Sequence, residues 1–267
     1  MSVWATGMSG VIGRNLNGLA APLKIDLSSN ELTDIDSEIY RCKGLIHLAG
    51  IVGEQKVKLN EEYAYNVNVR GSANLARSYH QKGKGIFVYV STSHVYKPSS
   101  ELLTEESEVG PVSTYGMQKL LAEKLIESVF EDSPERLVIV RLFSILGEGM
   151  PDFSLGGAIR RLAADPHFLL NNCDDIRDFL TPQVAAKSLF EIAQASGIHG
   201  TFNLCSSQAR SIKDAVLSQF AQSLRGEFSS RLLSGHSTVP SIRGSNVKLL
   251  EYVPQLEKSL TRDSKDS

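Results

Sequence analysis

Short apolar runs of strand length alternate along the chain with longer stretches in which apolar positions recur every three or four residues. The runs span residues 3–5, 23–27, 44–49, 85–90, 137–142 and 201–204. Each is continuous rather than alternately apolar and polar, so each predicts a strand covered on both faces, as in a parallel sheet flanked by helices. Residues 65–80, 113–130 and 182–195 carry the helical spacing and supply that cover. Strand followed by helix, repeated, predicts an α/β fold with a doubly wound parallel sheet.

The rhythm fails after Gly147, where Gly149, Pro151, Gly156, Gly157 and Pro166 interrupt it, and resumes with a helix near Pro182 and a strand at Phe202. The chain is expected to leave the sheet for a small lobe, return to add a last strand, and leave again near Ser206. On this division residues 1–146, completed by 175–205, form the core, and 147–174 with 206–260 form a small C-terminal lobe. Residues 261–267 hold no apolar side chain and are expected as a frayed tail. A lobe so placed roofs the carboxyl ends of the strands, where open α/β sheets hold their ligands.

The 267 residues suffice for a substantial apolar interior. Lys and Arg number 28 against 30 Asp and Glu, a net charge of −2, so no global field recruits nucleic acid or an anionic membrane. Neither is expected as a partner, and an anionic ligand must be held by local donors. Cys42, Cys173 and Cys205 are odd in number, far apart and without a C-x-x-C pair. That argues against a disulfide framework and a zinc site, and for a reducing cytoplasm. The first strand begins within two residues of the start, which leaves no room for a secretory signal, and no apolar stretch reaches membrane-spanning length. A soluble cytoplasmic protein without a metal site is expected.

Three segments carry chemistry. The turn Thr6-Gly7-Met8-Ser9-Gly10-Val11-Ile12-Gly13 joins the first strand to a helix start, and its glycines let backbone press against a diphosphate that the helix N-terminus attracts. Tyr115 and Lys119 stand four apart in a helix and project from one face, where an ammonium would pull a phenol's pKa down toward working pH. Taken alone, the pair also reads as a packed tyrosine beside a solvated lysine. The third segment is the buried run Phe87-Val-Tyr-Val, which opens into Ser91-Thr92-Ser93-His94-Val95-Tyr96, hydroxyl groups that either cap a strand end or touch a ligand.

Together these segments resemble the extended branch of the short-chain dehydrogenase/reductase superfamily, the NAD-dependent epimerase/dehydratase family of nucleotide-sugar enzymes. The resemblance runs from Thr6 to about Pro254. It implies a Rossmann-type sheet with a substrate-binding lobe, and a catalytic set of Thr92, Tyr115 and Lys119. Thr92 would hydrogen-bond the reacting oxygen, Tyr115 would exchange the proton, and Lys119 would tune Tyr115 and bond the nicotinamide ribose. Residues 7–13 would seat the pyrophosphate, here Gly7, Met8, Ser9, Gly10, Val11, Ile12 and Gly13. Leu48, Ala49, Gly50 and Ser91 would line the cofactor, and Asn68 would brace the site. His47 is expected to be packed rather than catalytic. Ser93, His94, Ser144, Arg177 and Arg243 are the residues expected at a nucleoside-diphosphate sugar, with Arg177 on its diphosphate. A homodimer through the helix at 113–130 is implied as well.

Several positions depart from the family pattern. Asp26 follows Gly13 by only 13 positions, so the adenosine end of the cofactor site is short. Asp26, at the end of the second apolar run, would accept from both ribose hydroxyls and favour NAD. A slipped register puts Ser28, Ser29 and Asn30 there instead and admits NADP. Ser144 stands where relatives carry an Asn. Members that eliminate water carry an Asp-Glu pair directly after the catalytic Thr; Ser93 and His94 occupy those positions, so dehydration is not expected. Residues 202–212 and 147–150 look most like the subgroup that reduces the 4-keto group of nucleotide-linked 4-keto-6-deoxyhexoses. Reduction is the leading expectation. Epimerisation, with His94 as an acid or base, and a non-catalytic nucleotide sensor on the same fold are the alternatives.

Overall fold

The computed structural model describes residues 2–29 and 37–262. The first apolar run is β1 (Val3–Thr6), followed by a single helical turn, α1 (Val11–Arg14), and by β2 (Ala21–Pro22). The next run forms β3 (Gly44–His47), and α2 (Glu54–Leu59) and α3 (Glu61–Tyr65) follow it. The expected helix at 65–80 is broken in kind. Asn66–Gly71 winds as a π-helix and only then does α4 (Ser72–Lys82) begin. Strand β4 (Ile86–Thr92), helix α5 (Thr114–Val129) and strand β5 (Leu137–Leu142) lie where the apolar pattern puts them.

After β5 come β6 (Ser144–Ile145), α6 (Leu155–Ala164), β7 (Ile176–Arg177) and β8 (Phe179–Leu180). Helix α7 (Pro182–Gln194), with Thr181 as its cap, leads to β9 (Gly200–Leu204). The C-terminal part holds β10 (Arg210–Ser211), α8 (Ile212–Leu217), α9 (Arg225–Ser229), β11 (Ser241–Ile242), α10 (Val247–Tyr252) and α11 (Glu257–Arg262).

Among the described residues six strands form one sheet in the order β2-β1-β3-β4-β5-β9, every neighbouring pair parallel. One apolar layer, with Val88, Val140, Leu189 and Phe202, covers one face; the other, with Leu45, Phe87, Tyr79 and Ile126, covers the opposite face. Because the strands are buried on both sides, their sequences are mostly apolar, with polar residues such as Thr6, His47, Thr92 and Asn203 toward their carboxyl ends, and that is what made them legible. No helix among the described residues is long and apolar enough to cross a membrane.

Three expectations need correction. The run at 23–27 is not a strand: β2 ends at Pro22, and Leu23 and Leu27 are apolar because they pack on Leu45, Leu75 and Tyr79. Pro22 is tolerated because β2 is the sheet's edge. The segment 206–260 also divides. Its first part pairs β10 and β11 with β7 in a three-stranded sheet, whereas Leu249, Val253, Leu256 and Leu260 join the main core beside Phe202 and Leu204. The expected tail begins inside α11, with Thr261 Oγ1 donating to the Glu257 carbonyl at 2.7 Å, and 263–267 lie outside the described residues.

Candidate active site

From β1 the chain turns out to β2 at the edge and then returns across β1 to β3, so the winding direction reverses between β1 and β3. A crevice at their carboxyl ends follows from that reversal. Thr6 stitches it together: its Oγ1 accepts from Leu48 N at 3.2 Å and Ala49 N at 3.1 Å and bonds His47 Nδ1 at 2.8 Å. His47 Nε2 bonds Ser72 Oγ at 2.9 Å. Burial, and next the charge of Lys119, lower the His47 pKa to about 3, so the ring is a neutral packed group, as expected.

In the turn between β1 and α1, Gly7 takes the left-handed conformation at φ 70° and its carbonyl accepts from Gly10 N at 3.0 Å. Ser9 and Gly10 are exposed at the tip, while Met8, Val11 and Ile12 are half-buried. The helix here is shorter than the sequence implies. Asn15 turns its side-chain amide back onto the Val11 carbonyl at 2.8 Å, and Gly18 goes left-handed, so α1 stops after one turn. An anion at this place would meet loop amides rather than the dipole of a long helix. Asp26 lies four residues beyond the end of β2, exposed, with Oδ1 accepting from Ser28 N at 2.9 Å and Ser28 Oγ at 2.7 Å. It stands in a turn and not at a strand end, which corrects the expectation. Asn30 lies outside the described residues.

The structure brings Thr92, Tyr115 and His94 together at the carboxyl end of β4. Thr92 Oγ1 accepts from His94 N at 3.3 Å and reaches the Tyr115 phenol. The Tyr115 and His94 rings meet edge to face with centroids 6.3 Å apart. This closeness has a local cause. Ser113 caps α5 by accepting from Gly116 N at 3.0 Å, and a Cβ on Gly116 would lie 2.4 Å from the His94 carbonyl, so only glycine lets the helix start press on the turn after β4. Ser93 is buried in that turn; His94 is exposed, its pKa lowered by the protein packed around it and then by the charge of Arg177.

The electrostatics overturn one expectation. Burial pushes the Tyr115 phenol up to about 12, with Thr92 pulling it partly back. Lys119 has its hydrogen bond elsewhere. The Lys119 ammonium donates to the Val90 carbonyl at 2.7 Å and sits 4.2 Å over the Tyr89 ring, and burial lowers its own pKa to about 7. Ser91 Oγ beside it is buried without a hydrogen-bond partner.

Asn68, inside the π-helix, holds the loop after β3 by both backbone groups of one residue: Oδ1 accepts from Ile51 N at 2.7 Å and Nδ2 donates to the Ile51 carbonyl at 3.0 Å. Gly50 lies against that amide, where an added Cβ would come within 2.9 Å of Asn68 Oδ1. Nδ2 also donates to Gln118 Oε1 at 2.9 Å, tying the loop to α5. Single-turn π-bulges inside helices are frequent at functional sites. Glu54 adds a second tie, its Oε2 accepting from Tyr115 N at 2.9 Å. Sequence reasoning missed Gln118 and Glu54, since both act through partners about fifty to sixty residues away.

The residues expected at the substrate are spread around the lobe. The Arg177 guanidinium donates to Asp175 Oδ2 at 3.0 Å and to the Val239 carbonyl at 2.8 Å, so it joins β7 to the segment before β11 while its charge reaches His94. Ser144, half-buried in β6, pairs with Phe179, and its N–H donates to the Asp178 carbonyl at 3.0 Å. Arg243 is exposed just past β11. Arg177 lies on β7, which pairs with β11 just before Arg243, and Ser144 lies on the separate strand β6.

The comparisons with known proteins agree with this architecture. The chain is 26% identical over 237 residues to the GDP-6-deoxy-D-mannose reductase of Pseudomonas aeruginosa, covering 80% of this chain and 77% of that protein. It is 24% identical over 273 residues to the GDP-6-deoxy-D-talose 4-dehydrogenase of Aggregatibacter actinomycetemcomitans, covering 95% and 91%. The solved structure of RMD from Pseudomonas aeruginosa complexed with NADPH superposes with a TM-score of 0.81 at 22% identity, over 98% of this chain and 97% of that one, and so shares the fold. The profile of one family spans residues 14–205, from just after the third glycine of the turn to the end of β9. Matched over most of its length, the chain belongs to the NAD dependent epimerase/dehydratase family.

Proposed function

We propose that the protein is an NAD(P)-dependent reductase of nucleotide sugars that acts on the C4 ketone of a nucleoside-diphosphate 4-keto-6-deoxyhexose. The observation that carries this reading is the meeting of the Tyr115 phenol and the Thr92 hydroxyl at the carboxyl end of β4, one turn of α5 from the Lys119 ammonium. Reduction of a ketone consumes a proton at oxygen, and the phenol is placed to give it. The names of the two relatives, a reductase and a 4-dehydrogenase of 6-deoxyhexose nucleotides, support the same substrate class.

The residues present fit a nicotinamide dinucleotide. Gly10 and Ser9 expose their turn at the end of β1, Ser91 Oγ is buried without a partner, and the Lys119 ammonium, with three donors, makes one hydrogen bond among the described residues. When bound, that cofactor supplies the hydride. Thr92 would donate to the carbonyl oxygen and hold it against Tyr115. Tyr115 would then deliver its proton as negative charge gathers there. Lys119 would compensate the charge left on the phenol. Arg177 and Arg243 are assigned to the substrate diphosphate, for which a guanidinium fork is suited, and Ser93, His94 and Ser144 to the sugar. With Asp26 turned onto Ser28, both NAD and NADP remain acceptable to this reading. We also infer a cytoplasmic dimer that pairs through the exposed Met117, Leu121 and Leu125 of α5.

Incubation with reduced NAD or NADP and 4-keto-6-deoxyhexose nucleotides tests the reading. Stoichiometric loss of reduced-cofactor absorbance is expected, and Tyr115→Phe should lower kcat on the order of 10²-fold while cofactor binding holds. Isomer exchange without net cofactor consumption would replace the reductase by an epimerase.

A further inference from the structure

Tyr115, Lys119 and Glu123 stand at successive turns of α5, four residues apart each time, so one row runs along the sheet-facing side from phenol to ammonium to carboxylate. Glu123 has no exposed surface. Its carboxylate accepts from Arg141 Nη2 at 2.9 Å and from Arg141 Nε at 3.3 Å. Arg141, from β5, is itself held over the Tyr96 ring at 4.7 Å. The groups that face Lys119 come from four elements: Tyr115 and Glu123 on α5, Tyr89 on β4, His47 on β3, and Arg141 on β5 behind Glu123. Among them Glu123 is the one acid.

A buried ion pair is poor value as a fold pin, since well-packed apolar residues of similar volume hold a core as well or better. Its place one turn from a buried ammonium gives it a different use. We propose that Glu123 is a positioning residue for the chemistry at Tyr115: held in place by Arg141, its carboxylate keeps the proton on Lys119 inside the buried row. The proposal rests on the reading that Lys119 serves the reaction as an ammonium. Burial drives Lys119 toward its neutral form, and the field of Glu123 opposes that drive. Arg141 moderates the same field, so the two partners act on Lys119 with opposite sign.

The test titrates Lys119 in the ligand-free full chain, labelled with 13C at the lysine ε-carbon, its resonance assigned by loss in Lys119→Met. Glu123→Gln should lower the Lys119 midpoint by about one pH unit or more, the size expected for loss of a nearby opposite charge. Arg141→Gln should raise it, and Glu123→Asp should leave it near the native value. Should Glu123→Gln fail to fold, the double variant Glu123→Met with Arg141→Leu strands no charge, and a smaller downward shift is expected, because the opposing field of the more distant Arg141 is removed with that of Glu123. A midpoint that stays put in the Gln or double variant, or that moves the same way when either partner is removed, overturns the proposal. The kcat profile separates this from the proposed reaction. A midpoint that moves in the resonance while the profile stays put supports the effect of Glu123 on its neighbour and removes Lys119 from the reduction.

Discussion

The three glycines of the β1–α1 turn are equivalent in the sequence and unequal in the structure, and substituting each with alanine should separate folding from binding. On Gly13 a Cβ would lie 2.2 Å from the Gly7 carbonyl oxygen and 2.6 Å from Met8 Cα. Both are backbone atoms, so relief requires the turn to move by more than an ångström, an overpacking of about 1–3 kcal/mol or more. On Gly7 a Cβ would lie 2.7 Å from Ala49 N, and φ 70° adds a further cost of about 1–2 kcal/mol for any residue with a Cβ. Gly10 has φ −72° and ψ 171°, ordinary extended backbone, and its nearest contact would be the Gly7 oxygen at 3.3 Å. Gly10→Ala should therefore fold within about 0.5 kcal/mol of the native chain. A methyl there would stand on the exposed tip where a diphosphate is expected, and should weaken NADH and NADPH binding at least tenfold, about 1.4 kcal/mol. Thermal unfolding without ligand and calorimetric titration with each cofactor read the two effects apart, at about 2–4 °C per kcal/mol for a chain of this size. Native cofactor affinity in Gly10→Ala, or native stability in Gly13→Ala, would refute the account of the turn.

Other variants test the remaining parts of the site. Lys119 has a folded pKa of about 7 against 10.5 when free, so between those values the unfolded chain binds a proton that the folded chain has released; stability should rise with pH across that window, and urea titrations should show Lys119→Met lacking that share of the rise. His47, held down at about 3, works the same way at lower pH: it withdraws stability as pH falls from about 6.5 toward 3, and His47→Gln should flatten that part of the acid unfolding curve. Asn68→Ala removes both bonds to Ile51 and the one to Gln118; a loss of about 1–3 kcal/mol by thermal unfolding is expected, with kcat falling more than cofactor affinity. Asp175→Ala frees Arg177 from its carboxylate partner and, measured by calorimetry, should weaken sugar-nucleotide binding more than cofactor binding.

Much of the scaffold was readable because burial on both faces leaves a strand few polar positions, and β1, β3, β4, β5 and β9 keep theirs mainly toward the carboxyl ends. The same signal misled at 23–27, where Leu23 and Leu27 are apolar for packing and Gly71 offers the Leu27 carbonyl a close resting place, an added Cβ there coming within 2.2 Å. Periodicity reports burial and cannot say whether a hydrogen-bond ladder accompanies it. The π-turn at 66–71 was hidden for a related reason: one extra residue per turn leaves no mark when the flanking helices keep their own spacing. Glu54 and Gln118 were invisible because an acidic or amide side chain gains its role only when the fold brings Tyr115 N or Asn68 to it.

The Tyr115 and Lys119 pair shows where spacing stops being informative about chemistry. Four residues place two side chains on one face of α5, and from that alone the ammonium was expected to lower the phenol's pKa. The direction of a long side chain is set by where an acceptor waits. For Lys119 the acceptor is the Val90 carbonyl in the adjoining strand, and for its charge the Tyr89 ring. The phenol is left with the Thr92 hydroxyl for company and the cost of burial to itself, which raises its pKa instead of lowering it. A side chain in that state is a proton donor at neutral pH and a poor base.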